Sequence, residues 1–127
     1  GWILDGAHNL EAVEALLQAL EETGERPALL VFGAAADKPL ARMLAALRRL
    51  GCSVILAPPP IPRAFDPQSC AAPGDAIAAD VAGALELARK LAAEHRAGPV
   101  LVTGSLFTVA EARRLILHLD VDPPLRL

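Results

Sequence analysis

Asp5, His8 and Asn9 stand together in the stretch Ile3-Leu4-Asp5-Gly6-Ala7-His8-Asn9-Leu10, directly behind an apolar run. A carboxylate, an imidazole and an amide at the exit of such a run are groups that can touch a ligand in an α/β protein. Lys38 follows Asp37 in a loop of small residues. Only Lys38 and Lys90 are lysines among 12 basic residues, so the habitual cation of this chain is arginine. A lysine here supplies a compact point charge of the kind that holds a carboxylate or phosphate. Arg63 lies in a proline-rich segment, and Ser105 follows Gly104 where a hydroxyl and a helix N-terminus can meet an anion. Together these groups suit the binding and orienting of an anionic reactant, with rate gained through positioning.

Each residue also has a plain structural reading. Asp5 can cap the turn behind it, His8 can pack at the junction against backbone, and Asn9 can serve as an N-cap. Lys38 and Arg63 can be solvated surface, and Ser105 a simple cap.

The elements that would position these groups follow from periodicity. Trp2 to Leu4 read as the end of a buried strand. Gly6 and Ala7 turn the chain, and a helix runs from about Leu10 to Glu22 with Leu10, Val13, Leu16, Leu17 and Leu20 on one face. Ala28 to Gly33 form a second apolar run, and Pro39 sits where N1 of the next helix belongs. That helix ends at Gly51, and Cys52 to Ala57 form a third strand. Pro58 to Asp75 read as a long irregular segment, a type that is often functional. A short fourth strand is expected over Ala76 to Ala79, then a helix capped by Asp80, with Glu86 and Lys90 paired on its surface. Val100 to Gly104 form the last clear strand. Ser105 and Thr108 are alternative caps for the final helix, Thr108 having capping-box spacing to Glu111. From Asp120 a short extension is expected. Alternating strands and helices predict a Rossmann-like α/β fold, a mostly parallel sheet with helices on both faces. On such a sheet the candidate residues share the rim beyond the carboxyl ends of the strands.

Composition narrows the function classes. The 127 residues suit a single domain spanning 1–127. With 54% apolar residues, 21% charged residues and a net charge of −3, the chain is globular and carries no basic footprint for nucleic acid. No run reaches the ~18 apolar residues of a membrane span. Cys52 and Cys70 make neither a disulfide framework nor a zinc site, and a cytoplasmic setting is expected. G-x-x-x-x-G-K-[ST], G-x-G-x-x-G after the first strand, a nucleophile elbow and a metal-ligand cluster are all missing, so no catalytic or metal-binding residue is assigned. The chain reads as half of an active site and, opening on Gly1 almost inside a strand, as a piece of a longer protein.

Four runs in order, L-D-G-A-H-N, V-F-G-x-x-x-D-K, P-R-A and T-G-S-L-F, resemble the C-terminal domain of folylpolyglutamate synthase/dihydrofolate synthase, a branch of the Mur ligase family. The resemblance implies a domain that closes over an N-terminal P-loop ATPase domain absent from this chain. It implies ATP and Mg²⁺, held mainly by that other domain. The substrates would be L-glutamate and a folate or dihydropteroate, joined through an acyl phosphate. It places Asp5 toward the nucleotide ribose, with Asn9 and Arg63 on the same side. His8, Lys38 and Ser105 would hold the incoming glutamate, with Phe107 walling its pocket. Leu10 replaces the usual Pro after the Asn, and Pro39 replaces the acid that commonly follows D-K. A cell-wall Mur ligase domain and a non-catalytic nucleotide- or partner-binding Rossmann module are the alternatives. No nucleic acid or membrane partner is expected, and the domain alone is expected to be inactive.

Overall fold

The computed structural model describes residues 1–95 and 98–119; the expected extension from Asp120 lies outside them. Strand β1 (Trp2–Leu4) leads into helix α1 (Leu10–Thr23). Asn9 caps α1 in extended geometry, and Gly24 ends it at φ 74°, donating to the carbonyls of Leu20 and Glu21. Strand β2 (Leu29–Phe32) precedes α2 (Leu40–Leu47), which tightens into a 3₁₀ turn (Arg48–Leu50) and stops at Gly51. Pro39 is the N-cap residue of α2, one position earlier than expected. Then come β3 (Ser53–Leu56), the four-residue helix α3 (Pro67–Cys70), β4 (Ala76–Ile77), α4 (Val81–His95), β5 (Val100–Thr103) and α5 (Leu106–Leu119).

The strands make one parallel five-stranded sheet in the order β1-β5-β2-β3-β4. Leu4 stands beside Val102, and Phe32 lies between Thr103 and Leu56. Every residue of β2 and β5 is buried, as both faces of a parallel sheet require. Side chains alternate between two cores. Leu30, Phe32 and Leu101 face Leu16, Leu20, Met43 and Leu47 of α1 and α2, while Val31, Ile55 and Val102 face Val81, Leu85, Ala88, Ala112 and Ile116 of α4 and α5. Cys52 and Cys70 are free thiols packed half-buried against the first core, and burial pushes the Cys52 thiol up.

Three local expectations are corrected. Thr108 does not cap α5: that helix starts at Leu106, so its cap is Ser105, whose Oγ accepts from the amides of Phe107 (2.9 Å) and Thr108 (3.3 Å). The Pro58–Asp75 segment is not wholly irregular. Asp66 accepts from the Gln68 amide and Pro67 opens α3, the cap-then-proline arrangement that favours a helix start. Glu86 and Lys90 form no ion pair among the described residues; both project into solvent along α4, where such pairing contributes little. Asp80 does cap α4, accepting from the Gly83 amide at 2.8 Å.

Candidate functional site

The strand order sets the site. β5 lies between β1 and β2, yet α1 and α2 cover one face of the sheet while α5 covers the other. The chain therefore leaves neighbouring strands in opposite directions, and the crevice so opened at their carboxyl ends is the switch point where ligands bind in open α/β sheets.

Backbone hydrogen bonds lace the loops of this rim together. The Asp5 amide donates to the Val102 carbonyl (3.0 Å) and the Gly104 amide to the Ala7 carbonyl (3.1 Å), joining the turns behind β1 and β5. A Cβ on Gly6 would meet the tip of the Leu106 side chain, so the turn behind β1 lies close against the head of α5. On the other side of β5, the Ala36 amide donates to the Arg63 carbonyl (2.7 Å) and the Phe65 amide to the Ala34 carbonyl (2.9 Å). These bonds carry the proline-rich segment onto the loop of Lys38. Gly33 joins the two halves: its amide donates to the Thr103 carbonyl (3.2 Å), and its carbonyl accepts from the buried Thr108 hydroxyl at 2.9 Å.

The side chains differ in how much of their chemistry the fold already uses. Asp5 accepts from the Ala7 amide through Oδ1 at 2.9 Å, so the turn-capping role is realised and Oδ2 remains. The His8 ring meets the Gly6 carbonyl through Nδ1 at 3.0 Å. A carbonyl only accepts, so Nδ1 is the donor in this contact. Asn9 is exposed and spends Oδ1 on the Ala12 amide at 2.8 Å. Lys38 is half-buried in a tight turn, and its ammonium has no ion pair among the described residues. Arg63 is exposed. Ser105 is buried at the head of α5, and Phe107 beside it is 60% exposed, as is Leu106 at 62%.

Asp5, His8 and Ser105 thus share one half of the rim, Lys38 and Arg63 the other, and among the described residues no two of these side chains bond each other. A hollow lies at the far end of the strands, between Leu20, Gly24, Pro27 and Arg49, away from every candidate residue. Among the described residues no group of His, Cys, Asp and Glu could hold a metal ion, and no helix is long and apolar enough to cross a membrane.

Thr108, Gly33 and Phe65 were not visible as parts of this site in the sequence. Thr108 carried only a misleading capping signal, while Gly33 and Phe65 matter through partners distant along the chain.

The fold is an open parallel α/β sheet whose loops gather at one rim, an architecture common to many ligand-binding domains. Residues 1–106 match the family described as "Mur ligase, glutamate ligase domain", and the chain belongs to that family. It is 37% identical over 121 residues to the probable bifunctional folylpolyglutamate synthase/dihydropteroate synthase of Haloferax volcanii, covering 87% of this chain and 14% of that protein. Folylpolyglutamate synthase of Mycobacterium tuberculosis, solved with ADP and AMPPCP, superposes with a TM-score of 0.80 at 28% identity, over 90% of this chain and 29% of the other. E. coli FolC in complex with DHPP and ADP gives a TM-score of 0.74 at 28% identity, over 91% and 28%. The chain therefore spans less than a third of the length of these relatives.

Proposed function

We propose that this chain is the glutamate-binding C-terminal domain of an ATP-dependent ligase that joins L-glutamate to dihydropteroate, a folate, or both. The observation that carries the reading is a rim of hydroxyl, imidazole and cationic groups on a domain of the Mur ligase glutamate ligase family. The names of its relatives, folylpolyglutamate synthases solved with ADP, AMPPCP or DHPP, support the substrate class. In this reading the acceptor carboxylate is first phosphorylated by ATP. The glutamate amine then attacks the acyl phosphate, and the tetrahedral intermediate expels phosphate.

Lys38 pairs with a glutamate carboxylate as a point charge. His8 and Ser105 hold the same amino acid, and Phe107 walls its pocket. Asp5 faces the nucleotide ribose with its remaining carboxylate oxygen, and Asn9 and Arg63 lie toward the nucleotide. The domain contributes rate by holding the amine and the acyl phosphate in attack geometry. Magnesium and the ATP phosphates fall to a P-loop ATPase domain, for which this sequence has no motif. This domain alone is expected to be inactive.

The test is a product assay on the full-length enzyme, with ATP, magnesium and either dihydropteroate or a reduced folate. A product heavier by one glutamyl residue, formed only with L-glutamate, is the expected result. Turnover with another amino acid and none with glutamate would refute the assignment.

A further inference from the structure

The candidate glutamate contacts sit on two loops that diverge from neighbouring strands, Lys38 behind β2 and Ser105 behind β5. The fold joins the exits of these strands through the Gly33–Thr103 backbone bond and through one buried side chain. The Thr108 hydroxyl, fully shielded from solvent, donates to the Gly33 carbonyl at 2.9 Å across 75 positions of sequence. The contact is tight on every side. A Cβ on Gly33 would lie 2.8 Å from Thr108 Oγ1 and 2.5 Å from the Ala57 carbonyl oxygen, and a Cβ on Gly104 would run into the Gly33 oxygen. Gly33 is thus glycine so that the exit of β3 and helix α5 can close on it, and Gly104 is glycine so that its turn can close on the Gly33 carbonyl. Thr108 sits one turn into α5, and its amide also reaches the Ser105 hydroxyl at 3.3 Å. One residue therefore holds the Ser105 cap through its backbone and the exit of β2 through its side chain.

We propose that Thr108 is a positioning residue for the amino-acid substrate: its hydroxyl sets the spacing between the Lys38 loop and the Ser105 cap. This inference rests on the glutamate reading above. It touches no reacting atom, and it acts through Gly33 and Ser105. Valine has the shape of threonine without the donor, so Thr108→Val removes the link and leaves the Gly33 carbonyl buried without its partner. Thr108→Ser keeps the hydroxyl and gives up only a methyl group.

The experiment is steady-state kinetics on the full-length enzyme with Thr108→Val and Thr108→Ser, well below the unfolding temperature. Thr108→Val is expected to raise the glutamate KM about fivefold or more while the ATP KM stays within about twofold; Thr108→Ser is expected to restore the glutamate KM. A general loss of structure would move both constants together. Equal shifts in the two KM values, an unchanged glutamate KM, or a Ser variant as impaired as Val would each overturn the proposal. Should the Val variant fail to fold, Thr108→Ala is measured for the same split and judged by the same outcomes. Should the wild-type enzyme use a different amino acid, the function reading fails, and the split measured with that amino acid still decides the role of Thr108.

Discussion

Phe65 stands edge-on to Phe32, ring centroids 5.7 Å apart and planes at 89°. Both rings are fully buried, one at the end of the central strand β2 and one in the proline-rich segment. The contact is what turns a segment of prolines into a wall of the rim. It presses the backbone at Ala64 against Ala35, where a short antiparallel bridge forms, and so brings Arg63 beside the loop of Lys38.

Phe65→Ala is expected to destabilise the protein by about 3–5 kcal/mol, the usual range for emptying a buried phenylalanine site. Urea unfolding followed by circular dichroism measures this. A cost below about 1 kcal/mol would mean that the segment is held by its backbone bonds alone.

The far end of the same segment is fastened by charge. Arg48 grips Asp75 with two hydrogen bonds of 3.0 and 2.7 Å, the Asp75 side chain is 5% exposed, and the Ala72 amide adds a third donor at 2.9 Å. The guanidinium holds the Asp75 carboxyl below the usual carboxylate range. A carboxyl with a lowered folded-state pKa stabilises fully above its unfolded value, about 3.9, and loses that contribution as pH falls through the folded value. Asp75→Asn should therefore cost about 1.5–3 kcal/mol at pH 7, the range for hydrogen bonds to charged groups. The difference between wild type and variant should shrink as the pH is lowered below about 4. A gap that stays constant across that range would show that the charge of Asp75 contributes nothing.

Gly33→Ala tests how closely the rim is packed. Its Cβ would meet backbone, the Ala57 carbonyl oxygen, which cannot swing aside as a side-chain tip can. The expected cost is about 1–3 kcal/mol of overpacking, read as a lowered denaturant midpoint. Gly6→Ala should be milder, because the atom in its way is the end of the largely exposed Leu106 side chain, which can move into solvent. Equal costs at the two positions would contradict this ordering.

What was legible in the sequence is what local chemistry encodes. The apolar runs of β2, β3 and β5, the Asn9 and Asp80 caps and the glycine stop at Gly24 all follow from residues within a turn of each other, and the alternating pattern implied the parallel sheet. The insertion of β5 between β1 and β2 has no local signature, yet it creates the crevice. Thr108 and Glu111 have capping-box spacing that Ser105 pre-empts by lying three residues earlier, so the threonine was free to reach Gly33 instead. Arg48 with Asp75 and Phe32 with Phe65 are partners 27 and 33 positions apart, and nothing near either residue in sequence announces the other. Asp66-Pro67 was a readable helix start and was missed within the proline-rich stretch.

Asp5→Ala is expected to raise the ATP KM of the full-length enzyme more than the glutamate KM, because the carboxylate is assigned to the nucleotide side. Some loss of stability will accompany it, since Oδ1 also accepts from the Ala7 amide. Kinetics at a temperature where the variant is folded separate the two effects. A selective glutamate defect would move Asp5 to the amino-acid side.

Whether this rim holds the amino acid is decided at Lys38. Its turn is set by backbone bonds, Lys38 to the Ala35 carbonyl and Leu40 to the Lys38 carbonyl, so trimming the side chain leaves the loop in place. Losing one charge-assisted contact is worth about 1.5–3 kcal/mol, and each 1.4 kcal/mol is about tenfold in affinity. The measurement is the glutamate KM of Lys38→Ala in the full-length enzyme, alongside its ATP KM. The expected result is a rise of about tenfold or more for glutamate with ATP little changed. An unaltered glutamate KM in a folded variant would contradict it.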